Sequence, residues 1–130
     1  MLQSHHSVSF TIKGVHGGLT AVSGLITLKE QAFELEFESA DAIIGFVKSD
    51  LKTITVPFSS IRRFDFESKF LRGNKFILQV KTMSAIKDVP GSKSGRVEFY
   101  VDKKDKEDAL ALVSKFKMDF SEFRLGELDE

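Results

Sequence analysis

The sequence predicts a mainly β fold, with about seven antiparallel strands bent into a split barrel and closed by one C-terminal amphipathic α-helix. Three observations predict it. Apolar and polar residues alternate with a period of two through much of residues 7–101, as in strands that bury one face. Pro57 and the serines after Phe58 interrupt this alternation, and proline cannot donate a ladder hydrogen bond, so we expect a corner there. After Asp105 the apolar residues recur at helical spacing.

The composition bounds the class of protein. A chain of 130 residues, 42% hydrophobic and 29% charged, is expected to form one globular domain around a single core. Thirteen phenylalanines against one tyrosine and no tryptophan favour core packing over a recognition surface. The absence of cysteine excludes disulfides and thiolate metal sites.

The N-terminus and the apolar runs give the expected location. Residues 1–10 lack the basic start and apolar run of a signal peptide. The longest apolar run, residues 42–47, is too short to cross a bilayer. We therefore expect a cytoplasmic protein without a transmembrane segment.

The first half of the chain is expected to form four strands. The clearest alternation has Phe33, Leu35 and Phe37 on the inward face and glutamates on the other. The predicted strands are residues 7–13, 21–30, 33–39 and 53–58.

The second half is expected to form a hairpin and one further strand. Phe64, Phe66 and Phe70 are in phase along residues 61–70, so all three are predicted to be core, whereas Ile61 is out of phase. A β-bulge near Arg62 and Arg63 would account for the shift. The remaining elements are a hairpin turn at 72–74, a strand at 75–82, a loop at 84–95 with a type II turn at Pro90–Gly91, and a strand at 96–101.

The last segment predicts the helix and the domain limits. Gly126 is expected to end the helix and to leave an acidic tail at 126–130. Residues 1–18 are expected to be an N-terminal extension or an edge strand, and residues 19–125 to be the domain. The core face of the helix is predicted to consist of Ala109, Leu112, Val113, Phe116, Phe120 and Phe123.

Four segments together are similar to a known family. They are "ITVPFSSIRRFDF" (54–66), "SKFLRGNKFILQV" (68–80), "RVEFYV" (96–101) and the terminal helix. Over about residues 20–123 this pattern resembles the pleckstrin-homology-like domains, most closely the bacterial pleckstrin-homology and GRAM-type domains. The resemblance implies a split barrel whose open end is plugged by the helix.

The same resemblance bears on phosphoinositide binding. Family members that bind these lipids use a Lys- and Arg-rich hairpin between the first two core strands. In this chain the matching hairpin is taken to be "LKEQAFE" (28–34), where Lys29 stands beside Glu30 and Glu34. We therefore do not expect an anionic head group at this hairpin.

Charge is unevenly distributed although the chain is neutral overall. The net charge is −3 over residues 1–47, +7 over 48–96 and −4 over 97–130. Zero net charge argues against general nucleic-acid binding, whereas the blocks suit an anionic partner or head-to-tail association. Solvated strand faces of different sign are the alternative.

The basic residues of the central block are the candidate binding residues. The tip of the predicted hairpin, "SKFLRGNK" (68–75), sets cations around Phe70 and Leu71, which suits an anionic membrane. A soluble hairpin with a charged tip is the alternative, as is pairing of the arginines near the bulge with Asp65 and Glu67. The candidates are Arg62, Arg63, Lys69, Arg72, Lys75, Lys87 and Lys93.

No catalytic or metal-binding motif stands out. The sequence has no G-x-S-x-G nucleophile turn and no phosphate-binding glycine loop, and the three histidines, His5, His6 and His16, do not form a ligand pattern. We expect no enzymatic activity, no metal and no cofactor.

Three binding functions are therefore considered. The first is a protein-interaction module that also binds copies of itself, for example through a sheet edge at residues 7–13. The second is peripheral binding to an anionic membrane or another polyanion. The third is an apolar ligand carried inside a Phe-lined barrel.

Overall fold

The chain folds into one antiparallel sheet followed by a helix. The structure is a computed structural model that describes residues 6–41, 51–71 and 73–128. The strands are β1 (His6–Ile12), β2 (Thr20–Lys29), β3 (Ala32–Asp41), β4 (Lys52–Pro57), β5 (Ile61–Lys69), β6 (Gly73–Val80) and β7 (Arg96–Val101), and the helix is α1 (Lys106–Leu128).

The order of the strands gives an open barrel. The seven strands are arranged β4-β3-β2-β1-β7-β6-β5, so the two edge strands, β4 and β5, are consecutive in the chain. A short 3-10 turn, Phe58–Ser60, joins them directly after Pro57. The predicted corner is therefore where the chain crosses the opening of the sheet. The mainly β fold with one C-terminal helix is confirmed, and it matches the architecture of a pleckstrin-homology-like split barrel.

The first strand does not lie at an edge. β1 pairs with β2 from His6↔Leu28 to Ile12↔Val22, and with β7 at Thr11↔Tyr100. Because β1 lies between β2 and β7 in the sheet, it is not an edge strand, and the predicted sheet edge at residues 7–13 is wrong. The hairpin between the first two strands is consequently residues 13–19 and not residues 28–34, which join β2 to β3.

The barrel is filled by its own phenylalanine side chains. Phe33 in β3, Phe58 after β4 and Phe64 in β5 are buried, and their rings surround Phe116 of α1. The centroid of the Phe116 ring lies 5.2 Å from that of Phe33, 5.3 Å from that of Phe58 and 5.3 Å from that of Phe64. We name these four residues the aromatic cluster. It connects the helix to both sides of the opening.

Two local predictions in the second half of the chain are confirmed. The pairing of β5 with β6 shifts register between Ile61 and Arg63, which is the predicted bulge. Gly91 has a φ of 83°, and Ser92 N–H donates to the carbonyl of Val89 over 3.2 Å, as a type II turn at Pro90–Gly91 requires.

The helix has the predicted core face but a different end. Ala109, Leu112, Val113 and Phe116 are buried, and Phe120 and Phe123 pack against the core. The helix passes through Gly126 and continues to Leu128, so Gly126 does not end it. The predicted acidic tail thus begins as helix, and residues 129 and 130 lie outside the described range.

Gly24 of β2 lies between Phe10 of β1 and Phe37 of β3 and leaves no room for a side chain. A Cβ atom at this position would lie 2.9 Å from Phe10 Cζ in β1 and 2.9 Å from Phe37 Cα in β3, and it would overlap the carbonyl oxygen of Glu36. Two of these atoms belong to the backbone of β3, which cannot move without breaking ladder hydrogen bonds. Only glycine fits here.

We predict that Gly24→Ala lowers the free energy of unfolding by about 2–3 kcal/mol because of this overlap. Chemical denaturation monitored by circular dichroism measures it. Gly126→Ala is the matched control, since a Cβ there meets nothing within 4 Å and the change in a helix should raise stability by up to about 1 kcal/mol. Equal stability of the two variants would contradict the prediction.

Candidate functional site

The turn between β5 and β6 presents two apolar side chains to solvent. Phe70 is 89% exposed and Leu71 is 91% exposed. The prediction that Phe70 belongs to the core is wrong, because β5 ends at Lys69 and Phe70 lies in the turn, where the alternation no longer applies. Leu71 has a φ of 76° and Gly73 a φ of 77°, and Lys69 pairs with Gly73, so the chain reverses between Lys69 and Gly73, which overlaps the predicted turn at 72–74.

Lysines from two separate segments surround this apolar pair. Lys69 precedes it in β5. Lys103, in the 3-10 turn before α1, and Lys106, at the start of α1, line the same depression, of about 550 Å³. We name Lys69, Phe70, Leu71, Lys103 and Lys106 the basic tip. Sequence reasoning missed Lys103 and Lys106 because β7 and the hairpin come together only in the folded sheet.

Most of the predicted basic residues on β5 and β6 pair with acids. Arg63 lies 2.7 Å from Asp65, which confirms the alternative pairing for this residue. Lys69 lies 3.9 Å from Glu67. Arg62 is exposed at the bulge, and Arg72 lies outside the described residues. These cations therefore do not form one patch of unneutralised charge.

Lys75 belongs to a hydrogen-bonded group of side chains on β6 and β7. Its Nζ donates a hydrogen bond to Glu98 Oε1 over 3.0 Å, and Arg96 Nη2 donates to Glu98 Oε2 over 2.9 Å. The bond to Glu98 raises the pKa of Lys75, and the same bond lowers the pKa of Glu98. Tyr100 Oη completes the group with a hydrogen bond of 3.3 Å to Glu98. This network ties β6 to β7 and has a structural role.

Lys87 and Lys93 lie at the opposite end of β6 from the basic tip. Both belong to the connection between β6 and β7, which is held to the barrel by the buried side chains of Ile86 and Val89. Ser92 Oγ also donates to the carbonyl of Ile86 over 3.0 Å. The loop is thus an anchored segment.

A second basic depression lies at that end. It has a volume of about 500 Å³ and is lined by Lys13 from the β1–β2 connection and by Lys93 and Arg96. Glu98 neutralises Arg96, and Lys13 Nζ sits 4.1 Å from the centre of the Tyr100 ring. Arg96 and Lys13 thus each have a partner within the fold, so this depression has less free positive charge than its lining suggests.

The described residues contain no group of three or more His, Asp and Glu side chains placed to hold a metal ion. Of the three histidines, His5 lies outside the described range, and His16 Nδ1 lies 2.9 Å from Thr20 Oγ1. In the part of the chain that the structure covers, no helix has the length and hydropathy to cross a bilayer.

Comparisons of this chain with protein-family models, with curated proteins and with solved structures found no match.

We predict that Glu98→Gln destabilises the protein at neutral pH and that its difference from the parent chain disappears in acid. A carboxylate with a lowered pKa stabilises the fold above its usual value of 4.5, and the contribution is lost as the pH falls through the lowered value. Thermal unfolding of both proteins between about pH 7 and pH 3 measures the difference. Glu67→Gln removes a carboxylate from the longer, more exposed pair with Lys69 and should have a smaller effect. A constant difference at every pH would argue against the ion pair.

Proposed function

We propose that this chain is a non-enzymatic interaction module that docks on an anionic membrane surface through the basic tip. One observation carries the proposal: two adjacent apolar side chains, each about 90% exposed, stand at the end of a hairpin among lysines. Apolar residues at a loop end with flanking cations suit the boundary between anionic head groups and acyl chains.

The energies favour a combined contact. Complete transfer of Phe70 or Leu71 from water to an apolar medium is worth about 1.5–3 kcal/mol each, which is an upper bound for a shallow insertion. Each lysine near an anionic surface adds about 1 kcal/mol. Because Glu67 partly neutralises Lys69, Lys103 and Lys106 supply most of the attraction, against the repulsion of Asp105, Glu107 and Asp108 in the same segment. Neither contribution is large alone, so the binding is reversible and salt-dependent.

The backbone at the tip supports a role outside folding. Leu71 adopts a left-handed conformation, which costs a non-glycine residue about 1–3 kcal/mol, and its side chain gains no burial in return. Phe70 is exposed in the same way although the chain buries most of its other phenylalanines. Membrane insertion would give both side chains the apolar surroundings that the barrel does not.

The fold supports a related proposal about ancestry. The order of the strands and the terminal helix agree with those of a pleckstrin-homology-like domain, and we propose that this chain is a divergent one. Anionic lipids are concentrated in the cytoplasmic leaflet, so the membrane proposal agrees with the cytoplasmic location predicted from the sequence.

We predict that the protein co-sediments with vesicles that contain phosphatidylserine and not with vesicles of phosphatidylcholine alone. Replacing Lys103 and Lys106 with glutamine should weaken binding by about 30-fold, because two charges near the surface are lost. Phe70→Ser together with Leu71→Ser should weaken it by at least about 10-fold. Raising the salt concentration should weaken binding of the parent chain.

Matched controls lie at the other end of the barrel. Lys87→Gln with Lys93→Gln removes the same charge, and Met83→Ser removes an apolar side chain that is 63% exposed. Both controls should bind as the parent does. If these variants lose binding and the tip variants keep it, the second basic depression is the membrane site and the proposal for the tip fails. Equal binding to neutral vesicles would also overturn it.

A further inference from the structure

The face of α1 that points away from the barrel carries a second set of residues, four of them apolar and two of them serines. They recur at spacings of three and four, which is the spacing of the a and d positions of a coiled coil. At 3.6 residues per turn this side lies roughly opposite the core face. We name it the outer stripe, and its six exposed residues are Ala111, Ser114, Met118, Ser121, Leu125 and Leu128.

A helix that packs on a barrel with one face is expected to be polar on the other. On α1 the outer face instead has Met118 and Leu125, each 61% exposed, and Leu128, 80% exposed. Leu110, 48% exposed, flanks the same side. These side chains contribute little to the barrel, so they suit a partner surface.

The sizes of the residues change along the stripe. The N-terminal half has the small Ala111 and Ser114, and the C-terminal half has the large Leu125 and Leu128. If two such helices pack antiparallel, Ala111 faces Leu128 of the second copy and Ser114 faces Leu125. Met118 then faces Ser121. Every layer combines a small residue with a large one, whereas parallel packing would place serine against serine twice.

We propose that the outer stripe is the contact between two copies of this chain, which pair their α1 helices antiparallel about a two-fold axis. The sizes of the residues select this partner, because the stripe is complementary to itself in that orientation. A two-fold contact is also closed, so it forms a dimer and no longer assembly.

The charges beside the stripe allow this arrangement. Antiparallel packing brings Lys115 of each copy close to Glu122 of the other, although Lys115 also donates a hydrogen bond of 2.9 Å to Asp119 of its own copy. Lys117 and Arg124 approach one another on the other flank. Within its own copy, however, Lys117 lies 3.8 Å from Asp65, and Arg124 lies over the ring of Phe120. Their repulsion is therefore reduced.

The area of this contact is small, so the affinity between the two copies is expected to be low. Residues 111–128 cover about 25 Å of helix at 1.5 Å per residue. Interfaces of this size lie at the weak end of specific contacts. A dissociation constant in the micromolar range or weaker is expected. Since the contact is mainly apolar, it should persist at high salt.

We predict that sedimentation velocity of the complete chain shows a monomer–dimer equilibrium that depends on protein concentration but not on salt. Met118→Glu with Leu125→Glu should abolish the dimer and leave the thermal unfolding of the monomer unchanged, because both residues are exposed. Leu19→Glu is the matched control, since Leu19 is 57% exposed on a distant loop, and it should dimerise as the parent does.

The orientation can be tested with introduced cysteines, because the chain has none of its own. In the antiparallel dimer a Ser114→Cys protein should form a disulfide when mixed with a Leu125→Cys protein. Ser114→Cys alone should remain reduced, since the two copies of residue 114 are about 16 Å apart along the axis. A disulfide between two Ser114→Cys chains would show parallel packing and overturn the proposed geometry.

Two results would overturn the proposal as a whole. One is a monomer at every concentration up to the millimolar range. The other is a dimer that survives the two glutamate substitutions. If those substitutions instead remove vesicle binding from a monomer, the outer stripe contacts lipid and not a second copy. The proposal that the basic tip docks on a membrane does not depend on whether the chain dimerises, because the basic tip and the outer stripe share no residue.

Discussion

The contacts of the Phe116 ring connect the two edge strands of the sheet, which backbone hydrogen bonds do not join. β4 and β5 are the two edges of the sheet and have no ladder between them. Instead, Phe58 follows β4, Phe64 lies in β5, and both rings contact Phe116 of the helix. An aromatic contact of this kind is worth about 0.5–1.5 kcal/mol beyond the burial of its area. The helix is therefore a structural part of the barrel.

The packing of α1 against the barrel determines which surfaces remain exposed to partners. One face of α1 is buried in the aromatic cluster and its neighbours, so a second contact must use its exposed side, which includes the outer stripe. The start of α1 is fixed beside the β5–β6 turn, which brings Lys103 and Lys106 next to Phe70. Both proposed surfaces thus follow from the position of one helix. They remain distinct in chemistry, since the tip combines charge with exposed apolar side chains and the stripe is mainly apolar.

The sequence predicted the elements whose signals are local. The alternation along β3, the bulge at Ile61/Arg63 and the turn at Pro90–Gly91 all depend on neighbouring residues, and the structure confirms them. The position of β1 inside the sheet depends on its pairing with β7, about 90 residues away, and no local pattern contains that information. Phe70 was misassigned for a related reason. Its phase continues that of β5, but the strand ends one residue earlier.

The distribution of charge on the surface also could not be predicted from the sequence. The central block of the chain is strongly basic in sequence, yet pairing between strands places Glu98 of β7 against Lys75 and Arg96. Lys117 of the helix likewise lies near Asp65 of β5. Some charges that are separate along the chain thus pair in the fold, so the net charge of a block in the sequence is not the charge of a surface. Association that depended on the charge blocks would weaken in salt. Dimerisation through the outer stripe should not weaken in salt, because that contact is mainly apolar. Docking of the basic tip on a membrane should weaken in salt. The salt dependence therefore distinguishes the two contacts.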